Sequence, residues 1–449
     1  MKKILAVVVF SFVFLGLASI SAAYSIRDDE TGGDCSCIGM WDWATKTCVL
    51  TTDVYDTIYI DGDSIILDGN SHSVIGKGKF QLCGGEGIFL YDRTGVIIKN
   101  FNIRGFSNGI YLTGIGASNN IISANAVSEN CGNGILVNPF THDNSIIGNM
   151  ATDNGIGIFV ANSSNIEIAA NTVTNNYSGI VVLLSNDSTI EANAVRNNSN
   201  YGIAIFSSNN NLLIDNNVSE GHYSAIELQY SSNNILQGNI VSNNSHGGIA
   251  IWAYSENNTV ENNTISNNEY GIFLNSSNSN KVINNNFIDN SLQANSRGSI
   301  NIFNLDAPIG GNYWSDFDEP SEGCYDANND GFCDSPYVCD IPYVCGNTDY
   351  LPWTKQDGWL QTPGVLTNNV ITTVGELLIS GEITNQGIAD SLTDKLQDVL
   401  NALNQGDTQT AENILHAFVN QVEALSGKKI AADAALDLIG AVEQILRKL

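Results

Sequence analysis

The sequence predicts a mainly β protein, a single-stranded right-handed parallel β-helix of about ten coils of 22–24 residues, followed by a small C-terminal α-helical bundle. Three observations carry that prediction. A phrase Gly-Ile-x-(Leu/Val/Ile) recurs at Gly109, Gly134, Gly157, Gly179, Gly202, Ala225, Gly248 and Gly271, in steps of 25, 23, 22, 23, 23, 23 and 23 residues. A second line, Asn-x-(Val/Ile/Ala), keeps the same beat at Asn125, Asn149, Asn171, Asn193, Asn216, Asn239, Asn263 and Asn286. From Val365 onward the apolar spacing changes to a helical one. Two independent marks that hold one period over eight copies indicate a solenoid. The apolar runs between the marks are too short for helices, and they are β-branched and bounded by Asn, Gly and Ser. Stacked coils about 4.8 Å apart give a rod near 50 Å long.

In chain order, Lys2 and Lys3, an apolar run from Ile4 to Leu17 and the small residues up to Ala23 predict a signal peptide over 1–23. No later stretch is long and apolar enough to span a bilayer once that segment is removed. The expected location is secreted, extracellular or at the cell surface. The chain carries 47 acidic and 18 basic residues, a net charge of −29, with only 14% charged residues overall. That balance excludes nucleic acid and anionic membrane as partners, because both need Lys and Arg to neutralise phosphate.

Residues 24–60 predict an N-terminal cap rich in Cys and Trp, with Trp41 and Trp43 as cap packing, because a solenoid's first coil otherwise exposes an open core. The rod follows over 61–308. In it, stacked asparagines bond their neighbours and the turn backbone, and Asn tolerates the left-handed turn conformation. Residues 309–362 predict a second cap. Nine cysteines fall mainly in two clusters. Cys35, Cys37, Cys48, Cys83, Cys324, Cys333, Cys339 and Cys345 are the disulfide candidates, and Cys131, alone in the repeat, reads as a buried small hydrophobe. A zinc site is the rival for the second cluster, but it lacks a Cys-x-x-Cys knuckle and a nearby His.

The second cap holds the metal candidate. Asp326, Asn328, Asp330 and Asp334 stand at positions 1, 3, 5 and 9 of an EF-hand-like loop. Gly331 is at position 6, and Phe332 offers its carbonyl at 7, so the expected cofactor is calcium. Position 12 is Tyr337 instead of Glu, so either a further ligand comes from Asp316, Asp318, Glu322 or Asp340, or the affinity is low, which suffices outside the cell. After Pro363, Ile388, Leu392, Leu396, Val399 and Leu403 share a face, as do Ala411, Ile414, Leu415, Phe418, Val422 and Leu425. Ala434, Leu438, Val442, Ile445 and Leu446 close a bundle of about four helices within residues 363–449.

Several segments carry a resemblance. Cys48 to Tyr55, Ile66 to His72, Tyr91 to Asn100 and the Asn-rich coils resemble NosD-type right-handed β-helix proteins, also called carbohydrate-binding and sugar-hydrolysis repeats. The Gly311-Asn-Tyr-Trp-Ser-Asp close, with its Asn-Asp-Gly loop and Pro336-Tyr337, belongs to the same likeness, which covers about residues 35–356. Residues 381–446, with His416 to Ala424 and Gly427 to Ile430, are similar to the helical FIMAH module. The first resemblance implies a polysaccharide partner. It does not carry over NosD's copper role, because copper favours Met, Cys or His clusters, and this chain has three Met and five His.

The coils that break the repeat supply the candidate binding residues. Phe206, Glu227, Gln229, Trp252 and Tyr254 fall on the outward set of adjacent coils, and His222, Tyr223 and His246 lie just before those runs. Aromatic faces beside carboxylates and amides suit a pyranose. Catalysis has less support. A glycosidase needs two carboxyls about 5–10 Å apart, and only Asp215 or Glu220 offers Glu227 a partner. A lyase or epimerase would want a basic residue nearby, and Arg196, Lys281 and Arg297 are scattered. The expected function is binding polysaccharide or serving in the envelope. A polysaccharide lyase, epimerase or glycoside hydrolase is the alternative, and so is a structural or adhesive rod whose residues 363–449 dock another surface protein.

Overall fold

The computed structural model describes residues 23–78, 83–307, 309–328, 330–338, 347–360 and 363–449. The expected signal peptide up to residue 22, and Cys339, Asp340 and Cys345, lie outside the described residues. Three sheets of 12, 12 and 11 strands wrap a single right-handed rod, with each coil giving one strand to each sheet. Neighbouring coils pair in parallel and in register, so like residues stack. Ile180, Ile203, Ile226, Ile249 and Ile272 form one such column, fully buried in the core. The alternation of strand side chains sends their neighbours outward. The Gly line has a steric reason. A Cβ on Gly179 would stand 2.4 Å from the Gly202 carbonyl oxygen and 2.8 Å from Val195.

The asparagines form ladders through the corners. Each donates its backbone N–H and its Nδ2 to the Oδ1 of the Asn one coil later, as Asn193 does to Asn216 at 3.1 and 2.9 Å. Its Nδ2 also reaches back to a strand carbonyl of the preceding coil, as Asn216 does to Ile190 at 2.8 Å. The donors left over at the corners are thereby satisfied. Two expectations need correction. The ladder runs through Asn285, not Asn286. Asn286 instead bonds Asp357 across to the cap. Nor do the ladder asparagines take the left-handed conformation. The residue before each one does, from Ala124 (φ 54°) through Ala170, Ala192 and Asp215 to Asn284 (φ 53°).

At the N-terminal end the strand Tyr24–Ile26 already pairs with Ile58–Ile60, so the rod begins inside the expected cap. A short helix α1 (Cys35–Ile38) and the antiparallel pair Gly39–Asp42 and Thr47–Leu50 cover the core there. Trp41 packs on the core, whereas Trp43 stays 52% exposed and is not cap packing. Among the described residues the disulfides are Cys35–Cys48, Cys83–Cys131 and Cys324–Cys333. Cys131 is therefore a half-cystine and not a lone hydrophobe; its partner lies two repeat periods back. Cys37 is exposed and belongs to none of these bridges.

At the other end Trp314 lies between Phe287 and Tyr337, with ring centroids 4.5 and 4.3 Å away and nearly parallel planes, and this stack closes the core. The cap also terminates two ladders. Asn301 donates to Asn347 Oδ1 (2.7 Å), and Asn312 donates to the buried Asp349 carboxylate (2.8 Å). Beyond it come α2 (Pro363–Ser380), α3 (Gln386–Asn404), α4 (Thr408–Leu425) and α5 (Ala432–Leu446). Asn385 and Asp407 cap α3 and α4 by accepting from Ile388 and Thr410. The expected stripes meet in one apolar core around Leu392, Leu396, Leu415, Phe418, Leu438 and Val442. The bundle rests on the cap, where Gln444 Nε2 donates to the Asp330 carbonyl and Lys448 lies over the Trp353 ring.

Candidate functional site

The outward column of the first sheet runs Phe89, Tyr111, Leu136, Phe159, Val181, Ala204, Glu227, Ala250 and Phe273. Large residues give way to Ala on both sides of Glu227, so the surface dips there. A neighbouring column holds Tyr201, Ser224, Gly247 and Tyr270, again small in the middle. Trp252 follows Gln229 and Phe206 in a third column, and its indole Nε1 donates to Glu227 Oε1 at 3.0 Å. The result is a shallow pocket of about 60 Å³ whose walls include Tyr223, His246, Ala250, Trp252 and Phe273, with Glu227 lining it from below.

Rings continue along the rod beside this notch. Centroid distances are 5.6 Å from Tyr201 to Tyr223, 5.1 Å from Tyr223 to His246 in a stacked arrangement, and 5.4 Å from His246 to Tyr270. One ring per coil makes a line parallel to the rod axis. Glu227 is only 1% exposed, although it points away from the core. Burial pushes its carboxyl pKa up, against hydrogen bonds from Ser224 and Trp252 that pull it down. The Tyr201 phenol is pushed up to about 12, first by desolvation and then by the nearby Glu227.

Of the residues expected from the sequence, Tyr223, Glu227, His246 and Trp252 come together in the pocket. Phe206 adjoins it through an edge contact with Tyr201. Gln229 shares the Trp252 register but does not line the pocket. His222 and Tyr254 are outside it; Tyr254 stands on a turn (φ 62°), stacked with Tyr230. Neither Asp215 nor Glu220 lines the pocket, and both sit in left-handed turn positions of other sheets. His246 Nε2 instead lies 4.0 Å from Glu269. Sequence reasoning missed Ser224, Gly247, Ala250 and Phe273. The signal for the first three was there as small residues interrupting columns of rings, with Phe273 as the next large residue.

The Asp326–Asp334 loop closes on itself. Asp326 accepts from the Asp330 and Gly331 N–H groups at 3.0 Å, Asp330 Oδ1 from Phe332 at 3.0 Å, and Asp334 from Ala327 at 2.9 Å. Burial raises the Asp326 pKa, with Asp330 and Asp334 adding to the rise. The Phe332 ring packs on Trp353 at 4.2 Å. Tyr337, at the twelfth loop position, is used in the core stack. Asp318 accepts from Tyr313, Asp316 from Tyr337, and Glu322 from the Asp318 N–H. Among the described residues, no three His, Cys, Asp or Glu side chains converge as around a metal ion.

Residues 140–319 match the family model described as periplasmic copper-binding protein (NosD), residues 52–195 the right handed beta helix region, and residues 367–447 the FIMAH domain. The last match takes in α2 as well as the segment expected from the sequence. No curated protein matches the chain. Among solved structures it is similar to the A-module of mannuronan C-5 epimerase AlgE4 from Azotobacter vinelandii, at 15% identity over 64% of this chain and 87% of that one, with a TM-score of 0.40. Another is the enzymatically active domain of bacteriophage CBA120 tailspike protein 2, at 14% identity, 58% and 48% coverage and a TM-score of 0.43. A third is an alginate lyase from Paenibacillus sp., at 11% identity, 51% and 97% coverage and a TM-score of 0.38. At these identities and scores the likeness is of fold alone.

Proposed function

We propose that this chain, a right-handed parallel β-helix protein of NosD type with a C-terminal FIMAH domain, binds a polysaccharide along the first sheet, outside the cytoplasm. The observation that carries the reading is the line of rings from Tyr201 to Tyr270 beside the Glu227–Trp252 notch. Sugars present flat C–H faces ringed by hydroxyls, and a row of aromatic faces beside a hydrogen-bonding carboxyl matches both. Three disulfides support an oxidising compartment. In a glycan-array measurement the intact protein retains one class of glycan, and Tyr223→Ala with His246→Ala weakens that binding at least about tenfold, the effect of losing roughly 1.4 kcal/mol. Unchanged binding by the double variant would sink the reading.

A second reading, a polysaccharide-modifying enzyme, is favoured by one observation. A carboxyl whose pKa is raised by burial is suited to donate a proton. Among the described residues no second carboxyl lines the pocket, so a hydrolase with paired carboxyls lacks its partner here. A screen on uronic-acid polymers separates the two readings. Product lost in Glu227→Gln supports catalysis, and binding without product supports the first reading.

Calcium in the Asp326–Asp334 loop is a further part of the proposal, supported by the Asp-x-Asn-x-Asp-Gly spacing. The backbone N–H bonds engage only one or two of the roughly four lone pairs on each carboxylate, so lone pairs remain for a cation.

A further inference from the structure

The notch is too small for a sugar ring but well sized for a substituent on one. Its volume is about 60 Å³. A single water needs about 10–15 Å³ by the same kind of measure, so the notch holds roughly four water-sized positions. Its walls are apolar at Ala250, Phe273 and the Trp252 ring, and its polar groups are Glu227 and Ser224, both buried, with Tyr223 and His246 at the more exposed side. Glu227 spends two acceptor sites, one on Trp252 Nε1 and one on the Ser224 hydroxyl. A carboxylate offers about four such sites.

We propose that the notch reads an acetamido group, so that the polysaccharide held on this face contains N-acetylated amino sugars. The proposal rests on the glycan-binding reading above and names its ligand class. An acetamido group has four heavy atoms, nitrogen, carbonyl carbon, oxygen and methyl. Its methyl fits between Ala250, Phe273 and the indole. Its N–H donates to the free lone pairs of Glu227, a buried acceptor that gains more from a partner than an exposed one would. The other common substituents fit less well. A hydroxyl leaves the apolar walls unfilled, and an O-acetyl group brings the methyl without the N–H. A carboxylate or sulfate would set a negative charge against Glu227 on a chain of net charge −29. The line of rings then carries the sugar faces of the neighbouring units, one coil apart.

The small residues in the two columns give the notch its shape, and they also supply the test. Leu136 occupies the same column five coils from Ala250 without disturbing the pairing, so Ala250→Leu fills the notch within a geometry the sheet already accepts. Calorimetry with the full chain uses three tetrasaccharides of one linkage: the N-acetylglucosamine oligomer, its de-N-acetylated form and the plain glucose oligomer. At high salt, where the attraction of the cationic de-N-acetylated form to the acidic chain is screened, the N-acetylated oligomer is expected to bind at least about tenfold more tightly than either other, the range for a buried group left unpaired. Ala250→Leu should erase that preference, bringing the N-acetylated oligomer to within about threefold of the glucose oligomer measured on the same variant, with wild-type β circular dichroism showing that the variant folds. Equal binding of all three, or a preference that survives Ala250→Leu, overturns the notch assignment and leaves the face reading intact. No binding of any oligomer, in this or other linkages on an array, overturns both.

Discussion

Along the rod's corners the buried side chains are mostly Asn and Ser, whereas in the helical module Thr367 is the one buried polar residue among those described. The two regions meet the same requirement by different routes. A helix satisfies its backbone within itself, so its core can be wholly apolar. A coil that turns three times leaves N–H groups at each corner with no strand partner, and the asparagine ladders supply them. The rod therefore depends on polar contacts between coils, and the module on apolar contacts between helices. The difference bears on where each region is fragile.

The largest effect should come from interrupting a ladder. Asn216→Leu strands the two Asn193 donors and the Ile190 carbonyl, at a cost of about 3–9 kcal/mol if each lost partner costs 1–3. Phe418→Ala should cost a similar 3–5 kcal/mol, but in the module alone. Chemical denaturation followed separately by β and helical circular dichroism tests the pair. The first variant should shift the β transition and the second the helical one; a joint shift in both would erase the distinction drawn here.

Next in size is a pH dependence at the ladder's end. Asp349 accepts from Asn312, Trp314 and Leu351, yet burial pushes its pKa up to about 7. The folded chain keeps that proton to near pH 7, and the unfolded chain gives it up near 4, so the folded form binds more protons across the window. Stability from this group is full below about pH 4 and falls as pH rises toward 7, by at most about 1.4 kcal/mol per unit. Melting curves of wild type and Asp349→Asn across that range should differ in slope, with the variant flatter. Parallel slopes would mean the carboxyl stays ionised in the fold.

A smaller effect concerns the junction of the two regions. Asp330→Ala should lower the melting temperature in calcium but not in chelator, by about 1.4 kcal/mol at ten times the Kd. Equal loss in both conditions takes the metal out of the account. The smallest concerns Ala192, held at φ 52°. Ala192→Gly relieves a left-handed strain of about 1–2 kcal/mol and adds about 0.5–1 of chain entropy, for a net gain near 0.5. A net loss would show that the Ala methyl packs better than this account allows.

The solenoid was legible in the sequence because Gly109 to Gly271 repeat one steric demand at one spacing. The ladder's position was legible to within a residue. Where two asparagines adjoin, as at Asn285 and Asn286, composition cannot say which faces inward. The Cys83–Cys131 bridge was hidden because a bond across two coils links residues that share no local cluster. Glu227 and Trp252 were visible as exceptions to the repeat. Their hydrogen bond was not, since it depends on the register that sets Trp252 beside Gln229, diagonally across from the carboxyl. The dip they share was written in Ala204, Ser224, Gly247 and Ala250, residues that look uninformative until they are read against the rings above and below them.

The ladders have one more consequence. Every side-chain rung passes its N–H groups toward the C-terminus, from Asn125 to Asn312 without a reversal. The rod is in this respect a vector. In the Asn–Asn rungs the first end presents acceptors and the last end donors, while the Nδ2 bonds to strand carbonyls of the preceding coil run the other way, so the two ends are chemically unlike even where the coils are alike. The pair Asn347 and Asp349 works as a terminator: it answers the final donors and gives the growing stack a defined last coil.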